Sequence, residues 1–104
     1  AWCSPCLKSM KKSEIVRKDF DNKEVVFLYF TDESSPKKIW EQKIYEISGE
    51  QYYLTANEMK SIEKIYNFSG IPHYLIFDKN GILKYNHTSF MGNENMRKWI
   101  KESL

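Results

Sequence analysis

The sequence is poor in the features that define several classes of protein. It has only two cysteines, too few and too close together for the framework of a disulfide-stapled secreted domain. It has no apolar run long enough to cross a membrane, and no internal repeat or low-complexity stretch. Its sixteen basic and fourteen acidic side chains are spread without a long block, so the charge gives no reason to expect nucleic acid as a partner.

What the chain does contain is typical of one folded domain. Its 104 residues suit a single core, so residues 1–104 are taken as one domain. Aromatic residues make up 15% of the sequence, which argues against a disordered tail. Of the basic residues only Arg17 and Arg97 are arginines, and the lysine excess favours a solvated surface over bidentate phosphate recognition.

Helical and strand patterns alternate along the chain. Residues 25–30 are an uninterrupted apolar run, which is typical of a strand buried on both faces. Ser35 and Asn57 are predicted to cap helices, and Asn93 is predicted to cap the last one. The pattern predicts helix 5–20, strand 25–30, helix 36–47, strand 51–55, helix 58–66, strand 73–77, a turn at 78–81, strand 82–86 and helix 94–104. This order implies an α/β domain with a mixed central sheet flanked by helices.

The two cysteines, Cys3 and Cys6, open the first predicted helix. A cysteine attacks a disulfide only as the thiolate, and the N-terminus of a helix stabilises an anion. Cys6 lies one turn after Cys3, within reach to resolve a mixed disulfide formed on it. Pro5 between them is tolerated because the first turn of a helix needs no hydrogen bond from that position. The pair is therefore predicted to be redox-active, with Cys3 the more exposed and more reactive thiol.

Two other interpretations of the pair stay open. A short cysteine pair can be half of a zinc site, and two free cysteines can simply be buried. The sequence offers only His73 and His87 as further soft ligands, without a second cysteine pair. No metal and no cofactor is therefore predicted, although a metal-binding role through Cys3, Cys6 and His73 remains an alternative.

Residues 2–6, Trp-Cys-Ser-Pro-Cys, resemble the active-site motif of thioredoxin-like proteins. A second stretch, residues 66–72, is similar to the family sequence that ends in Gly-Ile-Pro, and the later strands and helix follow in family order. The insertion that carries the helix from Pro36 and the strand 51–55 is similar to that of TlpA- and ResA-type bacterial proteins. The chain thus resembles a thioredoxin-like thiol–disulfide oxidoreductase over essentially its whole length.

The resemblance implies a role for each matching residue. Cys3 corresponds to the nucleophile and Cys6 to the resolving cysteine. Trp2 corresponds to the flanking tryptophan, Ile71 to a residue whose backbone pairs with an extended substrate, and Pro72 to a cis-proline facing the sulfurs. The implied partners are protein disulfides or dithiols, and the implied action is reduction. The implied location is outside the cytoplasm of a bacterium, with a membrane tether possible beyond this chain. A redox-silent module that binds peptides around Ile71 is the alternative from another class.

Two departures from the family pattern matter. His73 stands where the family has threonine; it could tune the stability of the thiolate or bind a metal, but the preferred interpretation is a partly exposed strand residue. The family also has a central strand before the tryptophan–cysteine motif, between the counterparts of strands 25–30 and 73–77, which this chain lacks. We therefore expect upstream residues that form this strand. If the 104 residues fold alone, we expect the two strands to collapse together or a second chain to close the gap.

Overall fold

The computed structural model describes residues 3–21, 25–47 and 49–104. Helices and strands alternate in the predicted order, which places the chain in the α/β class. The elements are α1 (Ser4–Lys12), α2 (Glu14–Asp19), β1 (Leu28–Asp32), α3 (Lys37–Lys43), a 3-10 turn (Ile44–Glu46), β2 (Glu50–Leu54), α4 (Ala56–Tyr66), β3 (His73–Phe77), β4 (Leu83–Thr88) and α5 (Asn93–Ser103). No helix in these described ranges is long and apolar enough to span a bilayer.

The first predicted helix is two helices, with the break at Ser13. The Ser13 hydroxyl donates to the carbonyl of Met10 at 3.2 Å, and its N–H donates to the carbonyl of Ser9 at 2.9 Å. A serine that bonds back to its own helix offers the backbone an alternative to the regular ladder. The prediction of one helix over residues 5–20 was therefore wrong at its middle, although both halves are helical.

The apolar run 25–30 forms a strand that starts later and is less buried than predicted. Strand β1 pairs in parallel with β2, and Leu28 and Phe30 are 50% and 46% exposed. Continuous apolar sequence is typical of strands that are covered on both faces, so the prediction of a buried strand assumed a packing partner on each face. The described residues supply cover on one face only, where Tyr29 lies half-buried.

The cap of α4 is Thr55, not the predicted Asn57. The Thr55 hydroxyl accepts from the N–H of Glu58 at 3.1 Å, and the Glu58 carboxylate accepts from the N–H of Thr55 at 2.8 Å. This reciprocal capping box satisfies two otherwise unpaired N–H groups, where a lone asparagine would satisfy one. The predicted helix therefore begins at Ala56.

The C-terminal hairpin and helix match the prediction closely. Strand β3 has the predicted bounds and pairs antiparallel with β4. The turn is closed by the Asp78 carboxylate, which accepts from the N–H groups of Asn80 and Ile82 at 2.8 and 3.0 Å. At α5 the cap position is Gly92, with φ +88°, and Asn93 is the first helical residue rather than the predicted cap.

The strands form two separate sheets rather than one mixed central sheet. Within the described ranges β1 pairs with β2 alone and β3 with β4 alone. The prediction of a single mixed sheet was therefore wrong, because no strand among the described residues pairs with both β1 and β3 to join the two pairs. Strands β1 and β3 both line a cavity of about 850 Å³. The expected collapse of these two strands onto each other is thus not observed.

The hydrophobic core lies on one side of this cavity. Its buried cluster is made by Val16 and Phe20 of the α2 region and by Met96 and Ile100 of α5. Helix α5 packs against both α2 and β3, whereas α4 packs against β1 and β2. Helix α1, which begins at the two cysteines, is followed directly by α2, which contributes to this core.

Candidate redox site

Cys3 occupies the N-cap position of α1. Its sulfur accepts a hydrogen bond from the backbone N–H of Cys6 at 3.2 Å, and its carbonyl accepts from the N–H of Leu7 at 3.1 Å. The first turn contains no acidic side chain, and Lys11 and Lys12 lie in the last turn. The sulfur of Cys3 is therefore held where unpaired N–H groups and the helix dipole favour a negative charge.

Cys3 and Cys6 are joined in a disulfide, with their Cα atoms 5.2 Å apart. The short spacing is possible because Cys3 precedes the helix with an extended ψ of 114° while Cys6 lies in its first turn. Both residues are half-buried. The predicted difference in exposure between the two thiols concerns the reduced form, and it stays a prediction.

A hydrogen-bonded chain connects Cys6 to strand β3. The Ser9 hydroxyl donates to the carbonyl of Cys6 at 2.9 Å and accepts from the Tyr74 hydroxyl at 2.7 Å. Ser9 is 4% exposed, and burial raises the pKa of Tyr74. These contacts hold the first turn of α1 against β3 and keep the buried hydroxyls paired.

Neither Ser9 nor Tyr74 was among the predicted site residues. A serine inside an amphipathic helix gives no signal of its own, because its partner lies 65 positions away in the sequence. The apolar pattern of residues 73–77 placed Tyr74 on a strand without indicating where its hydroxyl would reach.

The structure brings four of the five predicted site residues to one cavity. Cys3, Cys6, Ile71 and Pro72 all line it, and the Ile71–Pro72 peptide bond is cis, which confirms that prediction. Ile71 is 64% exposed. Trp2, the fifth residue, lies outside the described residues.

His73 follows Pro72 and is engaged by its own neighbours. Its ring stacks on Phe68 with centroids 4.1 Å apart. Nδ1 lies 3.0 Å from the Thr88 hydroxyl, and Nε2 contacts the Asn86 side-chain oxygen. The residue is half-buried on β3, in agreement with its interpretation as a partly exposed strand residue.

The contacts of His73 also bear on the metal-binding alternative. Both ring nitrogens have partners in the hairpin, so neither is directed at the cysteines as an unengaged ligand. No group of three or more histidine, cysteine or acidic side chains suited to a metal ion occurs among residues 3–21, 25–47 and 49–104. The chemistry that the described residues best support at this site is that of the two sulfurs.

Comparison with known proteins found no matching family model, no similar curated protein and no similar solved structure. The proposal of function therefore depends on the site itself. Its main elements are the sulfur of Cys3, which caps α1, the neighbouring Cys6 and the exposed residue Ile71.

Proposed function

We propose that this protein is a thiol–disulfide oxidoreductase that exchanges disulfides with protein partners. The observation that carries the proposal is the position of Cys3, whose sulfur caps α1, accepts the N–H of Cys6 and is joined to Cys6 in a disulfide. A sulfur in this position gains stabilisation as a thiolate, which is the form that attacks and that leaves. The resemblance of residues 2–6 to the thioredoxin-like motif supports the same function.

The reaction needs only the two cysteines and a partner. In the dithiol form, the Cys3 thiolate attacks one sulfur of a partner disulfide, forms a mixed disulfide and releases the other partner sulfur as a thiolate. Cys6 then gives its proton to solvent and attacks the Cys3 sulfur. The Cys3–Cys6 bond forms, the bond to the partner breaks, and the second partner thiolate leaves. Two electrons pass to the partner, and a further dithiol must reduce the Cys3–Cys6 bond again.

We assign this chain the reducing direction, outside the cytoplasm, on the strength of the TlpA- and ResA-type resemblance. The same disulfide can instead oxidise a partner dithiol, and the reduction potential of the pair relative to its partner decides between the two. Stabilising the Cys3 thiolate favours the dithiol form, so the hydrogen bond from Cys6 shifts the pair towards oxidation of others. Measurement of the potential against a glutathione buffer therefore tests the direction separately from the activity.

Ile71 offers a way to hold the partner during exchange. It is exposed beside Pro72 on the cavity that both cysteines line. In the described part of the chain its backbone N–H and carbonyl have no hydrogen-bond partner. An extended segment of a partner could therefore pair with Ile71 as an added strand, with its disulfide presented to Cys3.

The decisive experiment traps the mixed disulfide. Cys6→Ser retains the attacking sulfur but cannot resolve, so it is expected to accumulate a covalent adduct with a disulfide-bonded substrate such as insulin. Cys3→Ser is the matched control and is expected to form no adduct and to reduce no insulin. Adducts in equal amounts from both variants, or none from either, would refute the assigned roles.

A second measurement tests the two thiols in the unsubstituted chain. Alkylation of the reduced protein at mildly acidic pH is expected to label Cys3 before Cys6, because only the sulfur of Cys3 caps the helix. Peptide mass spectrometry after short exposure gives the order. Preferential labelling of Cys6 would reverse the roles, and two inert thiols would favour a redox-silent binding module.

A further inference from the structure

Helix α1 differs from the other helices in its charge. It carries three lysines, Lys8, Lys11 and Lys12, and no acidic residue. Each of the other four α-helices that the structure describes contains at least one acidic side chain beside its basic ones. The helix that begins at the two cysteines is therefore the only described α-helix whose charged side chains all have one sign.

The three lysines form one solvent-facing surface, which we call the lysine face. Lys8 lies three and four positions before Lys11 and Lys12, so the three side chains project from the same side of α1. All three residues are exposed, whereas Ser9 and Met10 on the opposite side are 4% and 8% exposed. The lysine face is therefore accessible to a partner while the other side of α1 packs inwards.

No acidic side chain among the described residues neutralises the lysine face. None of its three lysines forms an ion pair in this part of the chain. The next two acidic residues in the sequence are engaged by arginines, since Glu14 pairs with Arg17 at 2.7 Å and Asp19 pairs with Arg97 at 2.6 Å. The positive charge beside the redox pair is thus left for another molecule.

The lysine face begins close to the sulfurs. Cys3 is the N-cap of α1. An α-helix rises about 1.5 Å per residue, so Lys8 to Lys12 lie about 7–14 Å beyond Cys3 along the helix axis. An extended polypeptide covers about 3.3 Å per residue, so this distance corresponds to about two to four residues of a partner chain, counted from the cysteine that is joined to Cys3.

The chemistry of the lysine face favours an acidic polypeptide over other anions. Lysine offers a point charge and lacks the planar fork with which arginine recognises phosphate in a bidentate manner. Three lysines also fall short of the clusters of about 4–8 basic residues that are typical of binding to anionic lipids. The carboxylates of aspartate and glutamate need only charge, and the disulfide exchange proposed above already requires a protein partner.

We propose that the lysine face selects partner proteins that carry acidic residues two to four positions from the disulfide cysteine that Cys3 attacks. This inference rests on the proposed function and names the class of its substrates. The lysine face acts on recognition alone, and the disulfide exchange itself proceeds as described above. Attraction between exposed charges of opposite sign raises the rate of encounter more than the affinity of the complex.

The test measures how fast the reduced chain reduces three disulfide-linked peptide dimers. The first peptide has aspartates two to four positions to either side of its cysteine. The second has the same aspartates eight to ten positions away, and the third has serines in their place. Each rate is divided by the rate with dithiothreitol, an uncharged reductant, which corrects for the reactivity of the peptide disulfide itself.

Ionic strength sets the expected result. At about 0.1 M the screening length is about 10 Å, so the first peptide should react at least about threefold faster than the other two, whose charges are absent or largely screened. At about 1 M the screening length falls to about 3 Å, and the preference should disappear. Equal corrected rates for the first two peptides at about 0.1 M, or a preference that persists at about 1 M, would overturn the proposal.

Two triple variants of equal charge locate the effect. One replaces the lysine face by glutamine, which retains helix propensity, and carries Lys8→Gln, Lys11→Gln and Lys12→Gln. The matched control changes three exposed lysines of α4 and α5, and carries Lys60→Gln, Lys64→Gln and Lys98→Gln. Only the first variant should lose the preference, and equal losses in both would assign it to net charge and contradict the lysine face. Circular dichroism shows whether each variant folds, and the peptide comparison on the unsubstituted chain stands without them.

A titration without thiol chemistry separates this inference from the proposed function. Peptides with serine in place of cysteine are added to the isotope-labelled chain, and the first is expected to shift the amide resonances of Lys8, Lys11 and Lys12 more than the third. If the chain reduces none of the disulfide peptides, these shifts decide: their presence retains the lysine face without the exchange activity, and their absence overturns it. Binding to phosphatidylserine vesicles without any preference among the peptides would identify a membrane contact and likewise overturn the proposal.

Discussion

Two regions of the molecule contain similar numbers of apolar residues but differ in how far these residues are buried. The cysteine unit, comprising α1, α2, β3, β4 and α5, contains the buried cluster and the disulfide. The parallel-strand unit, comprising β1, α3, β2 and α4, has no buried residue on either of its two helices. Its aromatic residues instead form partly exposed pairs, such as Phe30 with Tyr52. Apolar content alone therefore does not make a core, because the side chains must also find a facing layer.

The largest expected effect is a difference in stability between alanine variants of two phenylalanines, one from each unit. Phe20 is 4% exposed in the core, and Phe30 is 46% exposed on β1. Phe20→Ala should lower the free energy of unfolding by about 3–5 kcal/mol, through lost burial and the cavity left behind. Phe30→Ala should cost less than about 1 kcal/mol. Denaturant unfolding measures both, and equal losses would show that the two units are packed alike.

A smaller loss of stability is expected when the glycine directly before β2 is substituted. Gly49 has φ +122°, and a Cβ there would lie 2.5 Å from a ring carbon of Tyr29. Gly81 in the hairpin turn also has positive φ, at +78°, but a Cβ there would contact nothing within 4 Å. Gly49→Ala should cost about 2–3 kcal/mol and Gly81→Ala about 1 kcal/mol.

Thermal unfolding of the two glycine variants, each compared with the unsubstituted chain, separates backbone strain from crowding. Positive φ is common to both positions, so what distinguishes them is crowding at Gly49 by the Tyr29 ring and by the backbone carbonyl of Phe27, which a Cβ would approach to 3.1 Å. Similar losses in the two variants would mean that the Tyr29 ring yields easily, and that the parallel-strand unit is looser than its glycine suggests.

The smallest effect concerns Tyr29 and alkaline pH. Desolvation, aided by the nearby Glu14, raises the pKa of Tyr29 to about 12. The unfolded chain loses this proton near pH 10, so the folded state holds it longer and stability falls between about pH 10 and 12, by about 2 kcal/mol. Below pH 10 the contribution is fully present.

Tyr29→Phe should therefore reduce the fall in the free energy of unfolding between pH 9 and pH 12, measured in denaturant at each pH. Tyr45→Phe is the control, since Tyr45 is 88% exposed and its loss should leave the profile unchanged. An unchanged profile in Tyr29→Phe would mean that this side chain of β1 is solvated like its neighbours, and that the parallel-strand unit has no buried face at β1.

The sequence predicted local structure well and pairing poorly. The bounds of β3 were predicted correctly because a compact apolar run is followed by an Asp-Lys-Asn-Gly turn, and both signals are local. The residues 25–30 gave an equally strong strand signal, yet β1 starts at Leu28 and is half covered. Its burial depends on which strand lies beside it, and pairing between distant segments leaves no local trace.

The candidate site likewise has local features that the sequence predicted and long-range contacts that it did not. The two cysteines and the proline at position 72 were identified by spacing and resemblance, and they line one cavity. The Ser9–Tyr74 contact was not predicted, because it joins a helix to a strand across most of the chain. The break at Ser13 was also missed, since serine favours helix ends but is also tolerated inside a helix, so one serine does not by itself mark a break.

The contacts of α1 and α2 with the last third of the chain set an order of assembly. Tyr74 bonds to Ser9, Asn93 donates to the carbonyl of Lys12 at 2.9 Å, and Arg97 pairs with Asp19 at 2.6 Å. Loops between such distant residues close slowly, since the entropy of closure must be overcome before the contact forms. On a ribosome the cysteines emerge before the residues that fix their helix. The two cysteines thus meet their surroundings before their own scaffold is complete, and a chain halted before α5 would lack the contacts of Asn93 and Arg97 with Lys12 and Asp19.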